Sequence, residues 1–150
     1  MTIPAVPEDV ALTVTGSPEW AGELELREPP GPEAELLVMD QQGNVVAFSG
    51  KVEYGQGIRS GFTLSIADEL DVPLTSVRVI LGDTRLVPSD RGTTGSMSTR
   101  TIGIQLRRAA AAARQTLIGL AAERWAAPAA SLATRDGHVF QTGEPGRTGS

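Results

Sequence analysis

The pattern of hydrophobic and polar positions along the chain first predicts a β-hairpin. Two apolar runs, at residues 36–39 and 45–48, flank a short polar turn that contains Gly43. Two such runs joined by a few residues that include glycine are typical of a hairpin. A further run at residues 77–81 follows Pro73, alternates apolar with other positions and predicts another strand.

Two amphipathic helices are predicted from apolar positions that recur three or four residues apart. The first ends before Pro73, with Asp68 and Glu69 on its solvated side. The second spans about residues 100–126, and Pro128 marks its end. The predicted buried stripes are Ile58, Phe62, Ile66 and Leu70 in the first helix, and Ile102, Leu106, Ala109, Ala113, Leu117 and Leu120 in the second.

These elements predict an α+β fold in the order strand–strand–helix–strand–helix–strand. Two short strands between residues 131 and 141 complete it, and both helices should pack on one face of a small mixed sheet. We expect this domain to span residues 36–142, followed by a frayed tail at 143–150. Residues 1–35 are rich in proline and acidic side chains and are predicted to be an arm or linker, in which residues 10–15 could form an edge strand.

Composition excludes several classes of function. The chain has 150 residues, no cysteine and a single histidine, so thiolate sites and multi-histidine metal centres are excluded. Its net charge of -5 argues against a nucleic-acid binder. No apolar run approaches the ~20 residues that span a bilayer, and the first residues do not resemble a secretory signal. We therefore predict a cytoplasmic protein without a membrane or nucleic-acid partner, in which His138 is an ordinary strand or turn residue.

The strongest candidate for a site is the turn Gly55-Gln56-Gly57, where the hairpin leads into the first helix. Glycine on both sides of Gln56 permits positive φ angles and close approach of a ligand. The N-terminus of the following helix offers unpaired N–H groups and the positive end of the helix dipole, which suit an anion. The Gln56 amide can donate and accept hydrogen bonds. The alternative is a turn whose glycines only relieve strain, and spacing alone favours it.

A second candidate is the hydroxyl-rich loop, residues 92–99, which contains two glycines and five hydroxyl groups immediately before the second helix. Ser98 or Thr99 is expected to be the N-cap of that helix. The remaining groups could cradle an anion, although a flexible surface loop is an equal alternative. If both helices pack on one face of the sheet, this loop and the first turn would hold one extended anionic cofactor between them. Asp83 and Thr84, after the strand at 77–81, could bond a cofactor, but capping of the loop is the expected role.

Two stretches, "GKVEYGQGIRSGFTLSIADELDVPLTSVRVILGDT" and "GTTGSMSTRTIGIQLRRAAAAAR", resemble the molybdopterin-binding subunit of the molybdenum hydroxylases. This is the xanthine dehydrogenase and aldehyde oxidase family, and the resemblance is strongest to bacterial isoquinoline 1-oxidoreductase beta subunits. It covers about residues 36–137, in several motifs that occur in the same order.

The resemblance implies a molybdenum ion held by a pyranopterin, which in bacteria is often the cytosine dinucleotide form. It implies hydroxylation of N-heterocycles or aldehydes with oxygen from water, and electron transfer through iron–sulfur clusters on another subunit. Gln56 takes the place of the family's glutamine that hydrogen-bonds an oxo ligand of the molybdenum, and Gly55 and Gly57 match its neighbours. The cofactor-binding assignment extends to the loop residues Thr94, Gly95 and Ser96.

The family's general-base glutamate lies far downstream of these motifs, and no residue of this sequence corresponds to it; Glu53 is not that base. Loss of a general base typically costs ~10²–10⁴ in rate, so the chain is expected to be inactive alone. We therefore predict a partial or split component that shares the cofactor with a larger molybdopterin-binding chain and works with an iron–sulfur subunit. The alternatives are a non-catalytic cofactor-binding or interaction module and an inactive truncated remnant.

Overall fold

The computed structural model describes residues 10–16, 34–87, 90–143 and 148–149. They form a four-stranded sheet of order β1-β2-β3-β4, two helices and a three-stranded sheet of order β5-β6-β7. The strands are β1 Val10–Gly16, β2 Ala34–Asp40, β3 Val45–Ser49, β4 Val77–Leu81, β5 Leu132–Arg135, β6 His138–Gln141 and β7 Thr148–Gly149. The helices are α1 Ile58–Leu70 and α2 Ile104–Trp125.

The predicted hairpin is confirmed as β2 and β3, which pair antiparallel. The carboxylate of Asp40 closes its turn, because Oδ1 accepts the N–H groups of Gln42 at 2.9 Å and Asn44 at 2.8 Å. Gly43 supplies the positive φ of 80° that the turn requires. The two strands direct Leu37, Val45 and Ala47 into the core, where each is fully buried.

Helix α1 connects β3 to β4, which lie parallel and therefore need such a crossover. Its predicted stripe is confirmed: Ile58, Phe62, Ile66 and Leu70 are all buried in the common core with the sheet and α2. The helix ends at Asp71, which adopts a left-handed conformation with φ of 59°. The α+β class and the packing of both helices on this core agree with the prediction.

Helix α2 begins later than predicted, because a single π-helical turn, Thr99–Gly103, precedes it. The predicted stripe is buried as far as Ala113, and Leu117 is partly buried. Leu120 was wrongly predicted to be buried: it is 55% exposed, and Ile118 is buried instead. Helix α2 contacts strands of both sheets, and near its C-terminal end the buried position is Ile118 instead of Leu120.

Glu69 was also predicted wrongly as a solvated side chain. Its carboxylate pairs with the guanidinium of Arg107 on α2, whose Nε lies 2.8 Å from Glu69 Oε1. The ion pair is partly exposed, so we assign it a modest contribution to the α1–α2 contact.

The second sheet begins with the predicted pair of short strands, which are β5 and β6. Asp136 and Gly137 join them with φ angles of 50° and 81°, which are typical of a type I′ turn. The Gly137 N–H donates to Asp71 O at 2.7 Å, and Thr134 Oγ1 lies 2.8 Å from Asp71 Oδ2. These bonds fasten the second sheet, which was not predicted as a separate unit, to the end of α1.

Two strands lie outside the predicted domain: β1 lies in the arm, where an edge strand was predicted as possible, and β7 lies in the tail, where no strand was predicted. Strand β1 pairs antiparallel with β2 at the edge of the described sheet, within the predicted arm at 1–35. Strand β7 pairs with β6 inside the predicted tail at 143–150. The arm residues before Val10 and between 17 and 33, together with most of the tail, lie outside the described residues, so the domain boundaries at 36 and 142 stay predictions.

Candidate functional site

The two glycine-containing stretches that precede α1 and the π turn border one cavity of about 330 Å³. Of the predicted site residues, Gln56, Gly57, Thr94 and Ser96 line it, whereas Gly55 and Gly95 adjoin lining residues without being part of the wall. The complete lining is Tyr54, Gln56, Gly57, Ile58, Gly61, Thr93, Thr94, Ser96, Ser98 and Thr99. None of these side chains carries a charge at neutral pH, and most can donate or accept hydrogen bonds.

The N-terminus of α1 is not the open anion site that the sequence suggested. The Glu53 carboxylate already accepts the N–H groups of Gly55 at 2.9 Å, Gly57 at 3.0 Å and Arg59 at 3.0 Å. The hydrogen bond from Arg59, followed by that from Gly57, lowers the pKa of Glu53 below its ordinary value. Since a carboxylate matches the positive end of the helix dipole, Glu53 caps α1 from outside the helix. The predicted anion site at α1 is therefore already occupied by a side chain of the protein, because Glu53 lies just before the turn and its carboxylate reaches the N–H groups there.

Gln56 is exposed, and its amide is folded back on the chain that precedes it. Its Nε2 donates to Val52 O at 2.7 Å, and its Oε1 accepts the Tyr54 N–H at 2.8 Å. These bonds fix the amide at the cavity wall and leave one N–H and one lone pair for a ligand. The flanking Gly55 and Gly57 have φ angles of 105° and 75°, so both need the conformational freedom of glycine.

The hydroxyl-rich loop forms the opposite wall and is hydrogen-bonded to the first. Thr93 Oγ1 accepts the Val52 N–H at 2.7 Å, and Thr93 O lies 3.4 Å from the Tyr54 hydroxyl, which donates to it. Gly95 and Ser96 follow with φ angles of 61° and 56°. The two hydrogen bonds join the start of the loop to the stretch at 52–54.

Ser98 was predicted to be an N-cap, and this prediction is wrong. Its φ and ψ of -54° and -50° are already helical, and its side chain makes no capping bond. The reason is that the chain enters the helix through the π turn, in which the Gly103 N–H donates to Ser98 O at 3.2 Å. An N-cap needs a non-helical conformation to reach the first N–H groups. Ser98 is only 8% exposed, lines the cavity and has no side-chain hydrogen-bond partner among the described residues. Thr99, also offered as a cap, lines the cavity as well.

Backbone donors accompany the Ser98 hydroxyl. Within the described part of the chain, no acceptor receives the N–H groups of Ser96, Ser98 or Thr99. Unpaired N–H groups in a turn that opens a helix form a concave donor surface, which suits an oxygen-rich ligand. The donor end of the cavity therefore belongs to α2 and its π turn, and not to α1.

Other sequence candidates have structural roles. Asp83 Oδ1 accepts the Arg85 N–H at 3.0 Å, which confirms the predicted loop cap. His138 is exposed at the start of β6. No group of three or more histidine or acidic side chains in the described ranges could hold a metal ion. In the same part of the chain, neither helix has the length and apolar character needed to cross a membrane.

Sequence reasoning missed a buried ion pair next to the start of the hydroxyl-rich loop. Lys51 Nζ lies 3.3 Å from Asp90 Oδ2, and the side chains are 6% and 4% exposed. A signal was available, because Lys51 is the only lysine in the chain and lies two residues before Glu53. Lysine and aspartate are almost never fully buried unless they are paired.

Comparisons with known proteins address the same region. A family model described as the molybdopterin cofactor-binding domain matches residues 10–149. One nicotinate dehydrogenase chain of Pseudomonas putida is 37% identical over 105 residues, which cover 70% of this chain and 9% of that protein. The xanthine dehydrogenase molybdenum-binding subunit of Escherichia coli is 33% identical over 110 residues, or 73% of this chain and 15% of that protein.

Solved structures resemble the fold as well. CO dehydrogenase of Oligotropha carboxidovorans matches with a TM-score of 0.69 at 26% identity, over 76% of this chain and 14% of that one. Quinoline 2-oxidoreductase of Pseudomonas putida 86 matches with a TM-score of 0.63 at 25% identity, over 71% of this chain and 14% of that one. The chain thus spans only 9% to 15% of the length of the curated relatives named above.

Proposed function

Since the chain belongs to the molybdopterin cofactor-binding family, as its match over residues 10–149 shows, we propose that it forms one wall of the pterin site of a molybdenum hydroxylase. The observation that carries the proposal is the cavity between the turn at 55–57 and the hydroxyl-rich loop. Both walls of this cavity come from the stretches that resemble the family.

The residues of the cavity fit a pterin-type cofactor. A pterin ring with its side groups presents many hydrogen-bond donors and acceptors, and the lining offers the Ser98 hydroxyl, the Gln56 amide and unpaired backbone N–H groups. The described residues supply no metal-ligating cluster, so the ligands of a bound molybdenum would come from the cofactor itself. When bound, the cofactor would supply the redox chemistry, while this chain binds and orients it.

Individual roles follow from position. Ser98 is proposed to hydrogen-bond the cofactor, together with the loop residues Thr94 and Ser96. Gly95 would shape that loop, and Gly55 and Gly57 would let Gln56 reach the ligand. The contact of Gln56 with an oxo ligand of the molybdenum stays a prediction, supported by an amide that is fixed in the wall with one free N–H.

The rest of the site is proposed to come from protein outside these 150 residues, supplied in trans by a larger molybdopterin-binding chain with an iron–sulfur subunit. The relatives are named as subunits, and each is several times longer than this chain. The reaction of the assembly would be hydroxylation of an N-heterocycle or aldehyde with oxygen from water. We further propose a cytoplasmic location and, for the cofactor, the cytosine dinucleotide form.

Purification of the tagged chain from its native host tests this proposal, with molybdenum measured by elemental analysis and partners identified by mass spectrometry. We expect stoichiometric molybdenum together with a large partner. Molybdenum without a partner would instead indicate a non-catalytic cofactor-binding module. If the purified chain carries no molybdenum and no partner, the proposal is contradicted, and an inactive remnant is the remaining interpretation.

A matched pair of variants tests the cavity itself. Ser98→Ala removes the unpartnered hydroxyl and should weaken cofactor retention by about tenfold or less, the range of one hydrogen bond. Ser76→Ala removes a hydroxyl that does not line the cavity and should leave retention unchanged. Equal retention in both variants would contradict the role of Ser98.

A further inference from the structure

The buried pair of Lys51 and Asp90 holds both backbone polar groups of Gly92. Lys51 Nζ donates to Gly92 O at 2.7 Å, and Asp90 Oδ1 accepts the Gly92 N–H at 2.6 Å. The two charged side chains also face each other at 3.3 Å. Gly92 is therefore bound from both sides, with a φ of 82° that favours glycine.

Such a pair is not explained by stability. Removing two charges from water is expensive, and buried ion pairs replaced by apolar residues often leave a protein equally or more stable. Asp90 Oδ2 illustrates this cost: among the described residues no group donates a hydrogen bond to it, although the Lys51 ammonium lies 3.3 Å away. A role in fixing one conformation accounts better for the pair.

The position of Gly92 indicates which conformation is fixed. Gly92 directly precedes Thr93, the first residue of the cavity wall, which is bonded to Val52 and Tyr54 of the opposite stretch. Lys51 directly precedes Val52. The ion pair and the Thr93 bonds thus lie side by side and join the two stretches that enclose the cavity.

We propose that Lys51 and Asp90 are positioning residues that clamp the hydroxyl-rich loop against the stretch at 51–54 and so keep the cavity open in the shape that the cofactor needs. The effect on the cofactor rests on the proposed function, whereas the clamp itself does not. Neither residue lines the cavity, so each acts through Gly92 and Thr93.

The test compares Lys51→Met, Asp90→Leu and the double variant in the full chain. Each single variant leaves one buried charge unpaired and should lower the unfolding midpoint. The double variant removes both charges and should recover most of that loss, yet it should still lack the clamp. As a control, Glu69→Gln with Arg107→Gln removes an ion pair between the helices whose members are not the partners that hold Gly92.

Hydrogen–deuterium exchange of the cofactor-free chain reports on the clamp. In the double variant we expect the peptide covering residues 92–99 to exchange about tenfold faster, because the loop opens locally, while peptides within α2 keep the wild-type rate. The control variant should leave the loop peptide unchanged. Exchange of the loop at the wild-type rate in the double variant would overturn the proposal.

Molybdenum retention in the assembled protein reports on the consequence for the site. The double variant should retain several-fold less molybdenum than the wild type even though its unfolding midpoint has recovered, which a purely stabilising pair would not cause. Faster loop exchange with undiminished retention would refute the link between clamp and cofactor. A wild-type chain that retains no molybdenum would contradict the proposed function, and the exchange comparison would still decide whether the clamp exists.

Discussion

Gly103, at the junction of the π turn and α2, lies against the core side of α1, and its replacement by alanine tests that packing. A Cβ at this position would lie 3.3 Å from Cε1 of Phe62 and 3.5 Å from Cγ2 of Thr99. Optimal contacts between carbon atoms are about 3.5–4.0 Å, so the Phe62 ring would have to move. That ring is only 2% exposed and packs in the centre of the core, where little space is available for movement.

The magnitude follows from two opposing effects, and Gly119 separates them. Glycine to alanine within a helix gains about 0.8–1.0 kcal/mol from propensity alone. At Gly119, which lies within α2, an added Cβ meets no atom within 4 Å, so Gly119→Ala should stabilise the protein by about that amount. At Gly103 the same gain is set against overpacking, which typically costs about 1–3 kcal/mol. We therefore expect Gly103→Ala to be destabilising by about 1 kcal/mol, and the two variants to differ by about 2 kcal/mol.

Urea unfolding of both variants beside the wild type measures this difference. The m-values should be equal, since neither change alters the surface exposed on unfolding. For a protein of this size, a change of about 1 kcal/mol corresponds to about 2–4 °C in the melting temperature, so thermal unfolding provides a second measurement. If Gly103→Ala stabilises the protein as much as Gly119→Ala, the Phe62 ring yields freely and the reasoning is refuted.

Three further predictions concern the turn before α1. Gln56→Ala should lower the free energy of unfolding by about 1 kcal/mol or less, because only exposed hydrogen bonds are lost, but should strongly reduce turnover of the assembled enzyme; unchanged turnover would show that Gln56 has no such role. Gly57→Val places a β-branched residue at a φ of 75° and should reduce molybdenum content, with normal loading as the contrary result. The lowered pKa of Glu53 means that its carboxylate stabilises the folded chain above about pH 4.5 and that this contribution is lost as the pH falls through the folded-state pKa. Wild type should therefore lose stability more steeply than Glu53→Gln in acid titrations of the unfolding midpoint, and parallel curves would argue against the cap.

Local patterns were sufficient for most of the fold. The four-residue spacing of Ile58, Phe62 and Ile66 predicted α1 correctly, because all three side chains lie in one core formed with the first sheet and α2. The same reasoning failed at Leu120, near the C-terminal end of α2, a helix that contacts strands of both sheets. Periodicity reports a constant buried face, and it cannot show where a helix changes the surface on which it packs.

The site was less accessible to sequence reasoning, because its main features are long-range. The turn at 55–57 and the loop at 92–99 were identified from glycine and hydroxyl content. Their contact depends on bonds between residues about forty positions apart, such as Val52 to Thr93. Glu53 caps α1 although no cap was predicted there, and Ser98 is not the predicted cap of the second helix. Both findings depend on the π turn and on the path of the chain, which the sequence does not reveal.

The position of Glu53 affects how ligand binding in the cavity should depend on salt concentration. The positive end of α1 is already matched by its carboxylate, and the cavity lining described above carries no charged side chain. Long-range attraction of an anionic ligand is what added salt screens, over a Debye length of about 8 Å at physiological ionic strength. Under the proposed function, the cavity would recognise its ligand by shape and short-range hydrogen bonds, and its affinity should vary little with ionic strength. A steep salt dependence of the assembled enzyme would have to originate in cationic groups on the other walls.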